Sequence, residues 1–393
     1  MKNKKMMVTF CVLSLLVIIG VSILFFRSRH LPGAGLESAE VNAVSIAVSD
    51  ARSFAIMENG DLWDWGRDWG PSKREPTKII EDANAVFAGT SSTFTAITSD
   101  GALWVGGRRI TGKRNEIFRY IEFLVVPFRA WQFTRAPEII MNNVTFVAIS
   151  GSGDWGNVMA ITSDGRLWGW GSNNHGQLGI YSTKSDYSRP IRVKNDVVSV
   201  SVDRIGSTFA ITSDGALWSW GNNSRGQLGN GTTENSRSPV RVMDNVVALS
   251  SGGSRAFAIT SDGILWGWGS NQNGRLGDGV VRDRHSPVQI MENVTAVSAS
   301  EFTAFAITSD STLWSWGSNG SGQLGDGTTE DRFEPVRIMD DVVAVSAGNW
   351  HTLAITSDGE LWAWGRNDFG QLGDGTTEDR RSPVRIMDGI RLP

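Results

Sequence analysis

Cysteine is nearly absent from this chain of 393 residues, in which Cys11 is the single copy. One thiol excludes an intramolecular disulfide and a thiolate metal cluster within the chain. Histidine is also rare, and its four copies, His30, His175, His285 and His351, are far apart in the sequence. This distribution argues against a histidine metal cluster and a histidine-based catalytic triad. We therefore predict no metal site, no cofactor and no enzyme activity.

An excess of basic residues is missing as well, because the formal net charge is -4. Residues 1–30 hold five basic side chains and no acidic one, so the rest of the chain carries 32 basic and 41 acidic residues. An acidic globular part argues against unspecific binding to nucleic acid. We expect no nucleic-acid partner.

Residues 6–26 form the one long uncharged and mostly apolar run, with three lysines before it and two arginines after it. As a helix, these 21 residues span about 31 Å and match the bilayer core. We predict a transmembrane helix within an anchor of residues 1–30, followed by a linker over residues 31–42. The basic flanks favour a cytoplasmic N-terminus, which predicts a single-pass protein of the cell membrane with its remainder outside the cytoplasm. A signal peptide cleaved near Ala34 or Ala39 is the alternative.

Residues 43–393 contain seven copies of one sequence unit, and the last five copies are spaced by 48 to 50 residues. The copies align on a Leu-Trp pair, with the tryptophan at Trp63, Trp104, Trp168, Trp218, Trp266, Trp314 and Trp362. Each copy contains four short strand patterns. An Asp-Gly or related dipeptide between the second and third patterns predicts a two-residue type I′ hairpin. In the sixth copy this dipeptide is Asp310-Ser311, where we expect slight strain.

The third strand pattern of each regular copy carries two tryptophans, as in residues 361–365 (LWAWG). Side chains alternate along a strand, so both tryptophans point to one side of the sheet and the small residue between them points to the other. This recurrence favours core packing over the stacking of sugar rings. Radial stacking of such sheets buries both faces. We therefore predict an all-β, seven-bladed β-propeller of four-stranded blades, preceded by the N-terminal transmembrane helix.

The pattern WGxNxxGQLGxG, present at residues 220–231 and 364–375, resembles the regulator of chromosome condensation repeat family. The phrases around it are similar to bacterial surface or secreted members. This resemblance implies a seven-bladed propeller in a bacterial envelope. It also implies blades that combine strands from two sequence repeats, which would place the first and last strands of the propeller side by side.

The second repeat is irregular and carries an insertion at about residues 108–136, which is rich in basic and aromatic side chains. Such a segment suits a protein interface or an anionic membrane surface. The candidate partner-binding residues are Arg119, Tyr120, Phe123, Phe128, Arg129 and Trp131. In the alternative interpretation these aromatic side chains only cover the two irregular blades.

Two weaker patterns suggest ligand sites. Residues 320–325 match GxGxxG, but no strand-to-helix context follows, which argues against a dinucleotide site. The acidic loops at residues 326–331 and 374–379 offer oxygen ligands for calcium, although they lack the spacing of a calcium hand. Solvated turn residues are the simpler interpretation of these loops.

The predicted function is that of a non-enzymatic, membrane-tethered interaction module that displays a rigid propeller outside the cytoplasm to a protein or cell-wall partner. The resemblance implies two alternatives, a guanine-nucleotide exchange factor for a small GTPase and a secreted enzyme inhibitor of the same fold. A polysaccharide-directed enzyme would need two positioned carboxylates in one cleft, which the sequence does not reveal.

Overall fold

The computed structural model describes residues 15–19, 23–26, 46–49, 51–67, 73–88, 94–98, 103–106, 122–123, 141–142, 144–150 and 157–390. Within these residues the chain is all-β, as predicted, and its one helical segment is the 3-10 turn Gln272–Gly274.

The strands follow the sequence repeats in chain order. Two strands precede the repeats, β1 (Leu15–Ile19) and β2 (Ile23–Phe26). The first repeat contains β3 (Ile46–Val48), β4 (Arg52–Ile56), β5 (Leu62–Gly66) and β6 (Lys73–Ile80), and the second contains β7 (Ala83–Ala88), β8 (Phe94–Thr98) and β9 (Leu103–Gly106). The short strands β10 (Glu122–Phe123) and β11 (Met141–Asn142) pair with each other. The third repeat contains β12 (Val144–Ser150), β13 (Asn157–Thr162), β14 (Leu167–Ser172) and β15 (Asp186–Lys194).

The last four repeats continue this series. The fourth contains β16 (Val197–Val202), β17 (Ser207–Thr212), β18 (Leu217–Gly221) and β19 (Ser236–Met243), and the fifth contains β20 (Val246–Gly252), β21 (Arg255–Thr260), β22 (Leu265–Gly269) and β23 (Arg284–Met291). The sixth contains β24 (Val294–Ala299), β25 (Thr303–Thr308), β26 (Leu313–Gly317) and β27 (Arg332–Met339), and the seventh contains β28 (Val342–Ala347), β29 (His351–Thr356), β30 (Leu361–Gly365) and β31 (Arg380–Met387).

In six repeats four consecutive strands pair in chain order, which confirms the predicted blade for these copies; in the fifth repeat β1 and β2 extend the sheet to six strands. In the second repeat the structure describes three strands in one sheet. The fourth strand predicted there, beginning at Pro137, lies outside the described residues.

The N-terminal apolar run differs from the predicted helix over residues 6–26. Strands β1 and β2 form an antiparallel hairpin, and β1 pairs in parallel with β20, with Val17 opposite Leu249. Runs of valine, isoleucine and leucine suit a buried strand as well as a helix, and pairing satisfies the backbone. No helix of the described part of the chain is both long and apolar enough for a membrane span. The other residues of the run lie outside the described part.

The seventh repeat packs against the first. Met57 forms a β-bridge with Ile390, and the Glu58 amide donates to the Gly389 carbonyl at 2.8 Å. The implied exchange of strands between repeats is wrong, because each four-stranded set is complete within its own repeat. Strands β3 and β31 therefore belong to different sheets, and the β-bridge together with side-chain contacts such as that of Ser53 with His351 joins the seventh repeat to the first.

The two tryptophans of a repeat have different environments. The second tryptophan is almost fully buried in six repeats, at Trp65, Trp170, Trp220, Trp268, Trp316 and Trp364. Trp268 packs edge-on against Phe209 of the preceding repeat at 6.4 Å, and its Nε1 donates to the Gln227 carbonyl at 2.8 Å. Trp266, the first of the same pair, stays partly exposed. Core packing is thus confirmed for the second tryptophan, which joins neighbouring sheets.

The hairpin between the second and third strands is not the predicted type I′ turn. Gly165 has a φ of +75°, but Asp164 is not among the left-handed residues, whereas a type I′ turn needs both. The Asp164 carboxylate instead accepts from Thr162 Oγ1 at 2.6 Å and from the Arg166 amide at 3.3 Å, and these bonds hold a longer turn. Strain in the sixth hairpin is confirmed, because Ser311 takes the glycine position at a φ of +64°.

Candidate functional site

The strand order gives each repeat two ends with different connections. The loops between first and second strands and between third and fourth strands lie at one end, which we name the loop face. The Asp-Gly hairpins and the links to the next repeat lie at the other end, which we name the hairpin face. Long, variable loops on a rigid scaffold are the usual carriers of function.

A hydrogen-bond network shapes the third-to-fourth-strand loops of the last four repeats. In the sixth repeat, Asn319 Nδ2 donates to Asp326 Oδ1 at 2.9 Å, and the Asn319 amide donates to Asp331 Oδ1 at 2.8 Å. The other oxygen of Asp326 accepts from Arg332 Nε at 2.6 Å. The seventh repeat repeats these contacts around Asn367.

These contacts bear on the calcium hypothesis for residues 326–331 and 374–379. The aspartate oxygens already accept hydrogen bonds from donors within the loop, so they act as turn-forming groups. Among the described residues, no group of three or more candidate ligands lies close enough to hold a metal ion. The loops therefore carry a structural role.

Arg255 and His351 are fully buried between repeats, and Asp203 is buried within the loop between β16 and β17, where it accepts from the Ser207 amide at 2.7 Å. Arg255 donates to the carbonyls of Ser300 and Thr303 in the next repeat, at 3.1 and 3.2 Å. His351 Nε2 lies 2.9 Å from Ser53 Oγ, where the seventh repeat meets the first. Burial lowers the pKa of Arg255 to about 9 and that of His351 to about 3, and it raises the pKa of Asp203 to about 6. We therefore interpret Arg255 and His351 as packing groups of the repeat interfaces and Asp203 as a group that shapes its own loop.

A row of arginine and aromatic side chains crosses the loop face of the last three repeats. The Arg275 guanidinium lies 4.8 Å from the centre of the Phe302 ring. The Phe302 ring lies 4.9 Å from that of Trp350, tilted by 46°. Arg366 then lies 5.9 Å from the Trp350 ring. We call Arg275, Phe302, Trp350 and Arg366 the arginine–aromatic row; each side chain is partly exposed.

Arg275 reaches this row because it occupies a position where other repeats have glutamine. At that position Gln323 is buried, and its Oε1 accepts from the Ser321 amide at 2.8 Å. A guanidinium has no acceptor, so Arg275 turns outward, donates to Ser318 Oγ at 3.3 Å and covers Phe302. The same loop contains the 3-10 turn.

The row resembles the energetic centre of a protein interface. Arginine and tryptophan are enriched among interface hot spots, and cation–π contacts hold these side chains in place before binding. On one flank Arg204 pairs with Glu301 at 3.1 Å, and on the other Arg67 covers Phe369 at 4.5 Å. The surface therefore offers ordered aromatic faces with polar groups around them.

The sequence-based candidates cannot be compared with this surface. Arg119, Tyr120, Phe128, Arg129 and Trp131 lie outside the described residues. Phe123 belongs to β10, where it is opposite Met141. Their role in partner binding stays a prediction.

Sequence reasoning missed the row, although a signal was present. Phe302 and Trp350 are 48 residues apart, which is one repeat length, so they take the same place in adjacent repeats. Alignment of that place across the repeats would have predicted stacked rings, and Arg275 is a visible departure from glutamine.

The model for the RCC1-like domain matches residues 195–391, which is half of the chain. The chain belongs to the RCC1-like domain family. Models of the regulator of chromosome condensation repeat also match residues 164–203 and 146–177. Membership of the RCC1-like family supports a protein-interaction or regulatory module.

Curated RCC1-like relatives match part of the chain. The ultraviolet-B receptor UVR8 of Arabidopsis thaliana is 33% identical over 163 residues, which cover 38% of this chain and 33% of the receptor. The mitochondrial RCC1 domain-containing protein RUG3 of the same plant is 29% identical over 166 residues, 38% of this chain and 35% of RUG3. The human E3 ubiquitin-protein ligase HERC2 is 28% identical over 159 residues, which are 3% of its length. The matches thus span about a third or less of these relatives.

Solved structures support the propeller-like fold over most of the chain. Human WBSCR16 superposes with a TM-score of 0.54 at 17% identity, covering 92% of this chain and 89% of its own. Prp20p of Saccharomyces cerevisiae superposes with a TM-score of 0.53 at 19% identity, covering 95% and 88%. At these identities the likeness concerns the fold alone.

Proposed function

We propose that this RCC1-like protein is a non-enzymatic interaction module that binds a partner protein through the arginine–aromatic row. The observation that carries this proposal is the row itself, in which the tilted rings of Phe302 and Trp350 pack with centres 4.9 Å apart between two arginines on the loop face. The RCC1-like family provides the rigid scaffold, and this chain provides the row.

Two features make the row suitable for binding. Its rings are already packed against one another, so little side-chain entropy is lost when a partner covers them. Both arginines remain partly exposed; Arg366 already pairs with Asp368, and each guanidinium keeps further donors and a planar face for a partner's carboxylates or rings. A protein surface with carboxylate and aromatic groups matches this chemistry better than a neutral cell-wall polymer does.

We also propose a seven-bladed ring held at a membrane. Seven sequence repeats and the bridge between Met57 and Ile390 support the ring. The uncharged residues 6–26 and their basic flanks support a tether, with the propeller outside the cytoplasm of a bacterial cell. In a bilayer these residues would leave strands β1 and β2 and form a helix, because lipid buries the same apolar side chains.

Affinity purification with the tagged full chain tests the interaction. Proteins that bind the row should be depleted by Trp350→Ala and by Arg366→Ala and retained by Arg166→Ala, a matched exposed arginine on the hairpin face. The reason is that truncating a central hot-spot residue costs about 2 kcal/mol or more of binding energy. Equal recovery with all three variants would contradict the proposal.

Membrane fractionation tests the tether separately. The full chain should stay in the membrane pellet after carbonate washing and enter solution with detergent, and a chain lacking residues 1–30 should be released. A full chain that carbonate extracts would contradict the tether and leave the interaction proposal intact.

A further inference from the structure

The third-to-fourth-strand loop of the fifth repeat departs from its two successors. Residues 322–331 and 370–379 both read GQLGDGTTED, whereas residues 274–283 read GRLGDGVVRD. Glutamine is replaced by Arg275, two threonines by Val280 and Val281, and glutamate by Arg282. The exchange turns a polar loop with three acidic and no basic residues into a more apolar loop in which two arginines balance two aspartates.

These exchanges cost the loop hydrogen bonds. Thr328 Oγ1, the counterpart of the missing hydroxyl at Val280, donates to Asp326 Oδ1 at 2.8 Å and accepts from the Glu330 amide at 3.2 Å. Valine can do neither. Arg275 likewise cannot replace the acceptor of the buried glutamine. These residues do not stabilise the loop, so we attribute their presence to a requirement other than stability, namely binding.

The changed side chains form one exposed surface with a residue of the sixth repeat. Val280 and Val281 are 40% and 58% exposed, and Phe333 is 44% exposed. The Gly279 amide donates to the Phe333 carbonyl at 3.0 Å, and the Phe333 ring lies over Gly274, so the phenylalanine packs on the same loop that carries the valines. The first, fourth, fifth and seventh repeats have polar residues at the place of Phe333, namely Arg74, Arg237, His285 and Arg381.

The basic part of this surface has an open position for a carboxylate. Arg282 is exposed, and it makes no ion pair with any residue in the described part of the chain. A shallow, open depression lies beside Arg282, and Asp283, Arg284 and His285 also line it. Arg282 thus faces solvent on an accessible part of the surface.

We propose that Val280, Val281, Arg282 and Phe333, here named the fifth-repeat surface, bind an acidic protein segment that carries apolar side chains. The valines and Phe333 cover the apolar side chains, and Arg282 pairs with a carboxylate. An acidic segment fits because both charge changes in the loop, at Arg275 and Arg282, are toward positive. The inference rests on the proposed interaction function but concerns a surface beyond the arginine–aromatic row.

Selection from a phage library of short random peptides on the immobilised full chain tests this inference. Enriched peptides should combine aspartate or glutamate with leucine, isoleucine or phenylalanine. Fluorescence anisotropy of the synthesised peptides should show about tenfold weaker binding to Arg282→Glu, because the pairing charge becomes repulsive. Val281→Thr should also weaken binding. It introduces the residue found at this place in the sixth repeat, Thr329, so the loop should still fold.

The matched control is Glu378→Arg, the reverse exchange at the same place in the seventh repeat, which should leave peptide affinity unchanged. Selection of no peptide, selection without acidic residues, or equal affinity for Arg282→Glu and the wild type would overturn the inference. Trp350→Ala separates the two proposals. If Trp350→Ala loses the partner proteins of the row and still binds the peptides, both surfaces are supported. If Trp350→Ala retains those partner proteins while Arg282→Glu loses the peptides, only the proposal for the row is contradicted.

Discussion

The two tryptophans of the fifth repeat look equivalent in the sequence, but their replacement by alanine should have different effects on stability. Trp266 and Trp268 occur in the same strand, two residues apart, in the segment LWGWG. Trp268 is fully buried between the fourth and fifth repeats, and Trp266 is partly exposed with its Nε1 donating to Thr260 Oγ1 at 3.2 Å. We expect Trp268→Ala to be far more destabilising than Trp266→Ala.

The magnitude follows from burial and hydrogen bonding. Truncating a fully buried tryptophan to alanine costs about 3 to 5 kcal/mol. Trp268→Ala also leaves the buried Gln227 carbonyl without its 2.8 Å donor, which adds about 1 kcal/mol. Trp266 keeps part of its surface in water in the folded state, so its truncation should cost about 2 kcal/mol.

Urea unfolding of the full chain, followed by far-ultraviolet circular dichroism, measures the difference. Trp268→Ala should lower the midpoint clearly more than Trp266→Ala, at equal slope. The pair Trp316→Ala and Trp314→Ala in the next repeat is the matched control and should show the same order. Equal losses, or a larger loss at the first tryptophan, would refute the argument that the second tryptophan joins the sheets.

Three further predictions concern buried charges and the fifth repeat. The pKa of Asp203 is raised to about 6 by burial, so its contribution to stability falls by about 3 kcal/mol as pH rises from about 4 to 6; Asp203→Asn should remove this slope in urea titrations. The pKa of His351 is lowered to about 3, so its contribution is full above pH 6.5 and is lost as pH falls toward 3; His351→Asn, the residue type found at Asn157, should remove that loss. The two contributions change in opposite directions between pH 4 and 6. Asp203→Asn should therefore expose the pH dependence caused by His351, and His351→Asn that caused by Asp203. Stability profiles against pH that do not change in either variant would contradict both assignments. Val280→Thr should raise the free energy of unfolding by about 1 kcal/mol by restoring the hydroxyl contacts, and a destabilised variant would contradict the cost assigned to this valine.

The repeat pattern was enough to predict the sheets. A Leu-Trp pair, a hairpin dipeptide and a proline at the fourth strand occur in each copy, and local rules of alternation and turn chemistry then define four strands. The environment of each tryptophan was not predictable, because alternation places Trp266 and Trp268 on the same side of their sheet. Only the approach of the preceding repeat decides which ring is buried.

Two differences between the predicted and the observed structure have physical causes outside the local pattern. The hairpin was assigned from the Asp-Gly dipeptide alone, whereas the bond from Thr162 to Asp164 fixes a longer turn. Length and charge predict a helix for the apolar run, whereas Leu15–Ile19, rich in leucine and isoleucine, pair with the free edge of β20 in the structure. The arginine–aromatic row depends on stacking across repeats, which a scan along one repeat does not reveal.

Site-specific photocrosslinking in living cells tests the central claim most directly. A photoreactive amino acid replaces Phe302 in the row of the full chain, or Arg166 on the hairpin face as the matched control. The account predicts a discrete crosslinked partner from position 302, lost on adding Trp350→Ala, and none from position 166. No product at position 302, or the same product from both positions, would contradict a binding site on the loop face.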